Sequence, residues 1–300
     1  MSDKQKSYKF AAAAALGFAV LFIWALTKYI SATGDLTEWK DLDDALKEAG
    51  EKNKPVLVNV YSRFNQVSKN MNLQIFQNPK TKEYLEENFV LAGINAGTDK
   101  NSALLDSVYN VQGVPSYLFL ATSGKELFRF SKDDAFGIVG NFTNPELQEK
   151  LKKDIQYFLS WDDYNTAVKK AFNSGKHVII AAAKEPESAR KIMYIFDGES
   201  TQQYIEKHFI PVFLNSANND HSFIIENLEK KYLAKKEAAN DDETSIKLQI
   251  GDIVDDFILI LDKNGNYVTH FNPSPRLYDE DAMNDKLKIS LSNTEKTETN

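Results

Sequence analysis

The feature that most constrains the fold is a pair of apolar runs, each flanked by a distinctive junction. Residues 56 to 71 read VLVNVYSRFNQVSKNM, so an apolar run passes through a short polar segment into a helix pattern. Further along, Gly113-Val114-Pro115 leads into the apolar run 116–121. Continuous apolar runs rich in β-branched residues are typical of central strands buried on both faces. The sequence therefore predicts an α/β unit in which helices flank a central mixed sheet.

Periodicity and turn residues place the elements around these junctions. Apolar spacing predicts a helix over 41–49 that ends at Gly50, and Asn-Pro at 78–79 begins a helix that continues to residue 88. Residues 116–121 and 126–130 flank a polar turn and predict a hairpin. The resulting order, β-α-β-α-β-β-α after one leading helix, is that of an α/β sandwich.

This frame resembles the thioredoxin superfamily, and most closely its membrane-associated thiol-disulfide interchange domains. Where that family has Cys-x-x-Cys-Lys after an aromatic residue, this chain has Asn65-Gln66-Val67-Ser68-Lys69. The resemblance also implies a buried strand aspartate beneath the thiols, and Asn59 stands there. The degenerate redox positions are thus Asn59, Asn65 and Ser68. Because the chain has no cysteine, the family's thiol chemistry cannot occur by the family's route, and no catalytic residue is predicted.

The resemblance leaves one candidate binding surface in the first unit. In the family, the residue before a cis proline pairs its backbone with a bound peptide, and Val114 and Pro115 match those two positions. Phe64 is expected at the rim of the same groove, together with Gln66. These four residues are the predicted peptide- or partner-binding residues, since backbone pairing needs little side-chain identity. The alternative is that Pro115 only shapes the turn into its strand and that Phe64 is exposed without a role.

The second half of the chain repeats the first. The segment WDDY at 161–164 resembles WKDL at 39–42, and the run 177–183 aligns without a gap with 55–61. A repeat of domain size, well above solenoid periods, predicts a second and more degenerate thioredoxin-like unit. The residues at its redox and proline positions are Ala181, Glu187, Arg190 and Asp256.

The first thirty residues predict a membrane anchor. Three lysines precede an uncharged run over 10–26, and the span can extend to Ile30 if Lys28 snorkels, so residues 10–30 would cross the bilayer. Because lysines precede the span, we expect a single-pass protein with a cytoplasmic N-terminus and its soluble domains in the periplasm or an equivalent outer compartment. The alternative is a signal peptide cleaved after Ala32, which would put Ile30 where a small residue is preferred.

The predicted organisation has four parts. An N-terminal tail and transmembrane signal-anchor occupy 1–34, followed by thioredoxin-like domains at 35–160 and 161–290. A polar, charged stretch at about 235–247 predicts a flexible insertion in the second domain, and the composition of 291–300 predicts a disordered tail.

Charge and ligand patterns argue against several classes of function. A net charge of −7 does not suit nucleic-acid binding, which needs a basic surface. The absence of a glycine-rich phosphate loop and of a nucleophile elbow predicts neither a cofactor nor a small-molecule substrate. No metal is predicted either, because metal-ligand spacing is missing among the histidines, which are His177, His208, His221 and His270.

The sequence therefore predicts a membrane-anchored, redox-inactive, tandem thioredoxin-like protein that acts by binding. Its partner would be a membrane protein complex, in which the chain is an accessory or scaffold subunit or an assembly factor. The alternative is a periplasmic chaperone that holds extended peptides of protein clients in the Val114-Pro115 groove. An enzyme that works on another principle would need a nucleophile, and none is evident.

Overall fold

The structure is a computed structural model that describes residues 21–23, 39–218, 220–228 and 256–298. The predicted anchor over 10–30 lies outside these ranges except for 21–23, and the predicted insertion at about 235–247 lies outside them entirely. In the ranges that are described, no helix has both the length and the apolar character needed to cross a membrane.

Two four-stranded mixed sheets form the framework. The strands are β1 (Val56–Tyr61), β2 (Val90–Asn95), β3 (Ser116–Leu120) and β4 (Glu126–Phe130) in the first unit, and β5 (His177–Ala183), β6 (Phe209–Asn215), β7 (Phe257–Leu261) and β8 (Tyr267–Phe271) in the second. The order is β2-β1-β3-β4 in one sheet and β6-β5-β7-β8 in the other. Strand β1 pairs in parallel with β2 and antiparallel with β3, strand β5 does the same with β6 and β7, and each sheet ends in an antiparallel hairpin. The predicted mixed sheets are thus confirmed.

Helices flank both sheets. They are α1 (Leu42–Lys52), α2 (Gln66–Met71), α3 (Pro79–Asn88), α4 (Ser102–Ser107), α5 (Ala135–Thr143), α6 (Pro145–Leu159), α7 (Tyr164–Ser174), α8 (Ala189–Ile195), α9 (Glu199–His208), α10 (220–228) and α11 (Glu280–Glu298). A π-helical turn over Asn72–Phe76 continues α2, and a 3₁₀ turn over Pro186–Ser188 precedes α8.

The repeat extends to fine details of strand pairing. An isolated parallel bridge joins Lys40 to Ala92 in the first unit, and Asp162 to Val212 at the equivalent place in the second. The hairpins β3–β4 and β7–β8 both contain a register shift near their turn. Such matched irregularities are expected of two copies of one topology rather than of two unrelated sheets.

The two units share a core. On one face of each sheet, apolar side chains pack under α1 and α4 in the first unit and under α7 and α10 in the second. On the other faces, buried side chains of both units form one continuous cluster that includes Phe119, Phe130, Ile192 and Phe196. Burial of apolar area is the main favourable term in folding, so this shared cluster holds the two units together.

The second unit covers the edge strand β4. All five residues of β4 are buried, whereas four of the five residues of the equivalent strand β8 are only half-buried. The Pro186–Ser188 turn and α8 contact β4, and the guanidinium of Arg190 lies 3.9 Å from the ring centre of Phe130. An open edge strand offers backbone groups to other chains, and here the chain covers that edge itself.

Three local expectations differ from the structure. Helix α1 continues past Gly50 to Lys52, and it ends where Asn53 adopts a left-handed conformation with φ 50°, which asparagine tolerates better than most residues. Helix α5 was not predicted, because its glycines and aromatic residues blur the helical period. The tail expected to be disordered is helical through residues 291–298, because the C-terminal helix continues beyond Ser290.

Candidate functional site

The predicted site residues meet at one end of the first sheet. Strand β1 ends at Tyr61, and α2 begins five residues later. In the pairing of β1 with β3, Val60 lies opposite Ser116, so Pro115 follows on beside Tyr61. The loop before α2 and the loop before β3 are therefore neighbours. These two loops and the first turn of α2 carry all of the candidate redox and binding residues except Asn59.

Asn65 acts as a helix cap. Its side-chain oxygen accepts a hydrogen bond from the Ser68 backbone N–H at 2.9 Å, at the N-terminus of α2. The first turn of a helix has unpaired N–H donors, and asparagine is among the best residues to satisfy one. At this position the family's nucleophilic thiolate is replaced by a neutral group whose hydrogen bond stabilises the helix start.

Ser68 is buried, and among the described residues no histidine or carboxylate hydrogen-bonds to its hydroxyl. The Ser68 Oγ accepts a hydrogen bond from the Ser62 backbone N–H at 3.4 Å, and the residue is fully buried. A serine hydroxyl becomes a nucleophile only when an adjacent base can take its proton. Ser68 therefore fills the second thiol position as a packed polar residue.

Beneath these residues, Asn59 lies in the middle of β1 and is fully buried. Its Nδ2 donates a hydrogen bond to Asn72 Oδ1 at 2.8 Å, from the π-helical turn that follows α2. Within the described residues, the Asn59 Oδ1 has no hydrogen-bond partner. The position of a titrating acid in the family is thus held by an amide that cannot take up or release a proton.

The proline loop presents free backbone groups. The Val114-Pro115 peptide bond is cis, and Ser116 Oγ donates to the Gly113 carbonyl at 2.7 Å. Pro115 is buried, whereas Val114 is half-buried. In the part of the chain that is described, neither the amide nor the carbonyl of Val114 forms a hydrogen bond. Both groups are therefore available to an extended segment laid against the loop.

Two exposed apolar side chains lie around the start of α2, in the segment that neighbours this loop. The side chain of Phe64 is 84% exposed and that of Val67 is 49% exposed, and both belong to the segment that enters α2. Gln66 is also exposed, and its side chain is occupied by a hydrogen bond to Asn70 at 2.8 Å. We call Phe64, Val67 and Val114 the loop face.

The second unit uses its equivalent surface internally. Pro186 and Ala189, the counterparts of Phe64 and Val67, are buried where the second unit packs on β4. At the proline position, the Asp256 carboxylate accepts hydrogen bonds from the Lys184 backbone N–H at 2.9 Å and the Ser188 hydroxyl at 2.6 Å. The groove region of the second unit is therefore filled by its own side chain and by the first unit.

The histidines have structural partners rather than a common centre. His221 Nδ1 accepts from the Asn215 N–H at 3.1 Å, and His270 Nδ1 lies 2.9 Å from the Tyr267 hydroxyl. His208 packs on the ring of Tyr204. Within the described ranges, no three side chains of the metal-binding types converge.

Sequence reasoning did not identify the buried ion pair of Glu126 and Arg129. Both side chains are buried, and they are the first and fourth residues of β4, a strand that the hairpin pattern predicts. The signal available in the sequence is a pair of opposite charges inside an apolar strand, which is unusual because charged residues are rarely buried unless paired. Asn72 was missed as well, since nothing in its neighbours marks it as the partner of Asn59.

Comparison with known proteins supports the resemblance. Residues 42–132 match the family described as a thioredoxin-like domain. No protein with a curated description matches the chain.

Among solved structures, the chain is similar to a thioredoxin from Thermus thermophilus, at 22% identity over 35% of this chain and 88% of that one, with a TM-score of 0.29. It is also similar to a disulphide isomerase from Xylella fastidiosa Temecula1, at 16% identity over 34% of this chain and 88% of that one, with a TM-score of 0.29. The zinc-bound form of human ERp44 matches 82% of this chain and 54% of its own length, at 10% identity and a TM-score of 0.29. The family match and the sheet order thus identify residues 42–132 as a thioredoxin-like domain, and this domain contains no cysteine.

Proposed function

We propose that this protein is a membrane-anchored binding protein, an accessory or scaffold subunit or an assembly factor of a membrane protein complex, that uses the loop face of its first unit. The observation that carries the proposal is a contrast at one site. The redox positions hold neutral groups bonded to their surroundings, while Phe64 remains 84% exposed beside the unpaired backbone of Val114. The absence of the family's thiols and the exposed apolar side chain next to unpaired backbone groups support a role in binding rather than in redox chemistry.

The apolar exposure at Phe64 supports a contact surface. Large apolar side chains that are nearly fully exposed contribute little to folding, and clusters of them mark interaction sites. A partner strand laid against Val114 would satisfy two backbone groups and bury Phe64 and Val67 at the same time. The anchor over residues 10–30 would place this surface close to membrane proteins on the outer face.

Affinity capture from cells tests this function. The full chain is purified in a mild detergent after photo-crosslinking through a benzoylphenylalanine introduced in place of the exposed Gln66, which leaves Phe64 and Val114 free for substitution. The double variant Phe64→Glu/Val114→Glu should lose the captured partner, because it places charges on an apolar contact. The matched control is Phe172→Glu, which changes a side chain that is 69% exposed on α7 of the second unit. Recovery of the same proteins with both variants, or of the bait alone with the wild-type chain, would contradict the proposal.

A second candidate function is a chaperone that holds extended clients. The free amide and carbonyl of Val114 favour it, because backbone pairing binds many sequences. It predicts that the wild-type chain and the Phe172→Glu control suppress the aggregation of a reduced client protein, and that Phe64→Glu/Val114→Glu does so several-fold less well. Capture of one defined complex, with no suppression of aggregation, would favour the accessory subunit instead.

A further inference from the structure

A buried ion pair connects β4 to the proline loop. Arg129 donates from Nε to Glu126 Oε1 and from Nη2 to Glu126 Oε2, each at 2.7 Å, and both side chains are almost completely buried. The guanidinium also donates to the carbonyl of Asn110 at 3.1 Å and to that of Tyr109. A buried charge pair is stabilising only when its remaining donors are satisfied, and here the acceptors come from the segment that leads to Val114.

A bulge makes this arrangement possible. The β3–β4 register passes from Phe119 opposite Phe128 to Leu120 opposite Glu126, so Leu127 is the extra residue. Without the extra residue, Glu126 and Arg129 would point to opposite faces of the strand. With it, the two side chains meet.

Side chains of the second unit hydrogen-bond to the backbone of β4 at Glu126 and Leu127. The Asn218 side chain accepts from the Glu126 N–H at 2.9 Å and donates to the Glu126 carbonyl at 3.0 Å. Asn215 donates to the neighbouring Leu127 carbonyl at 3.2 Å. The amide of Asn218 therefore pairs with the backbone of the residue whose carboxylate fixes Arg129.

The repeat provides an internal comparison. In β8 the same bulge brings Tyr267 and His270 together, with 2.9 Å between the tyrosine hydroxyl and the imidazole Nδ1. These are the counterparts of Glu126 and Arg129. The fully buried ion pair thus lies in β4, the strand that the second unit covers. The mostly half-buried strand β8 has a tyrosine–histidine pair at the same positions.

We propose that the second unit is a positioning module for the partner-binding loop of the first, and that Asn218, Glu126 and Arg129 transmit this effect. Docking of the second unit orders the main chain at Glu126 and so orients the Glu126 carboxylate. The carboxylate fixes the Arg129 guanidinium, and the guanidinium in turn holds the carbonyls of Tyr109 and Asn110. Binding at the loop face and docking of the second unit are then coupled, and each strengthens the other. This inference rests on the proposed function, because it takes the loop to be the element that binds a partner.

Hydrogen exchange of the full chain tests the coupling without a partner. The reporter is the Val111 amide, which donates to the Leu105 carbonyl at 2.7 Å and lies between Asn110 and Val114. Asn218→Ala should speed its exchange about ten-fold, because one end of the connection is lost. The control is Lys125→Ala, which removes an exposed ion pair with Asp220 at the same boundary and should leave the rate within about two-fold.

A second variant distinguishes a local effect on the proline loop from a general loss of stability. Arg129→Lys keeps the charge beside Glu126 but loses the fork that reaches both carbonyls, so it should speed Val111 exchange as well. If the two residues act on one route, Asn218→Ala/Arg129→Lys should exchange no faster than the faster single variant. Val58 amide exchange, in the centre of β1, shows whether a variant has simply unfolded. Multiplied rates in the double variant, or equal acceleration at Val58 and Val111, would overturn the inference.

A binding measurement distinguishes the two proposals. With β-casein as an unstructured client probe, Asn218→Ala should weaken binding about ten-fold and Lys125→Ala should not. If the wild-type chain and Phe64→Glu/Val114→Glu bind β-casein equally, the loop face is not a client-binding surface, and the holdase form of the function fails. Unchanged Val111 exchange in Asn218→Ala would instead reject the positioning role, whatever the loop face binds.

Discussion

At the scale of single residues, the loss of redox chemistry follows a consistent pattern. Asn65 caps a helix, Ser68 accepts a backbone hydrogen bond, and Asn59 pairs with Asn72. Each replacement is neutral at any pH at which proteins fold, and each has a partner in its new environment. The three positions now stabilise the fold locally instead of moving protons and electrons.

The buried amide at Asn59 leads to the first prediction. Asn59→Asp should lower the free energy of unfolding at pH 7 by about 2–3 kcal/mol, because a carboxylate at a fully buried site is desolvated and faces the Asn72 Oδ1. The same burial would raise the pKa of the new carboxyl, so the loss should shrink as the pH falls and the group is protonated. Urea unfolding at several pH values measures both effects.

The control for this variant is Asn70→Asp, which makes the same chemical change on the exposed side of α2. It should change stability by less than about 0.5 kcal/mol at every pH. If the two variants behave alike, Asn59 is not held in the low-dielectric position that the structure gives it.

The residue scale also shows what sequence could and could not reveal. Asn59, Asn65 and Ser68 can be assigned to a strand and to the start of the following helix from fixed spacings along the chain. The sequence does not mark Asn72 in this way, because its side chain reaches Asn59 only through the π-helical turn that follows α2. Side-chain pairing across an irregular turn leaves no periodic signal in a sequence.

At the scale of elements, the start of α2 depends on its cap. Asn65→Ala should lower the free energy of unfolding by about 1 kcal/mol, because the Ser68 N–H loses its acceptor. Asn65→Asp keeps an acceptor and adds a negative charge at the positive end of the helix, so it should be neutral or slightly stabilising. Urea unfolding of the two variants distinguishes capping from packing, and an equal loss in both would contradict the capping role.

Helices and strands were predicted well where one hydrophobic periodicity dominated the sequence. They were predicted poorly where pairing between strands determined the backbone geometry. The hairpin of β3 and β4 follows from its apolar runs and polar turn, and α3 from Asn78-Pro79. The bulge at Leu127 has no such signature, because it depends on how β4 pairs with β3. The ion pair of Glu126 and Arg129 depends on that bulge, so it could not be deduced before the structure.

At the scale of the whole molecule, the two units divide the roles of one repeated surface. The second unit buries its copy of that surface against β4, and the first unit leaves its copy exposed at Phe64 and Val67. The repeat itself was evident in the sequence. The packing of the two units against each other was not evident, because nothing in the sequence distinguishes Arg190 from an exposed arginine. The structure shows its guanidinium over the ring of Phe130.

Arg190 therefore tests the docking of the units. Arg190→Met should lower stability by about 1–2 kcal/mol, because it removes a half-buried cation above the ring of Phe130. Amides of β4 should then exchange faster, while those of β1 stay protected. The matched control is Lys191→Met, an exposed neighbour on α8 that should have little effect. Equal exchange in the two variants would show that Arg190 does not hold the units together.

The boundary between the units should also make stability depend on pH. Asp154 lies on α6 with Lys150, which ion-pairs with Asp197 of the second unit, and Arg190 lies nearby. Burial raises the pKa of the Asp154 carboxyl to about 6, with Asp197 adding to the shift and Lys150 and Arg190 opposing it. The folded chain therefore keeps a proton that the unfolded chain releases from about pH 4 upward. Stability due to this group is lost as the pH rises from about 4 to 6.

Asp154→Asn removes that cost, since an amide stays neutral in both states. Above pH 6 the variant should be more stable than the wild-type chain by about 1 kcal/mol, allowing for partial exposure of the group. This advantage should shrink as the pH falls towards 4, because the wild-type carboxyl is then protonated when folded and about half protonated when unfolded. Thermal unfolding from pH 4 to 8 measures the difference, with Asp285→Asn on the exposed side of α11 as the control that should show no such window. A difference that is constant across this range would mean that the Asp154 carboxyl does not titrate at the boundary between the units.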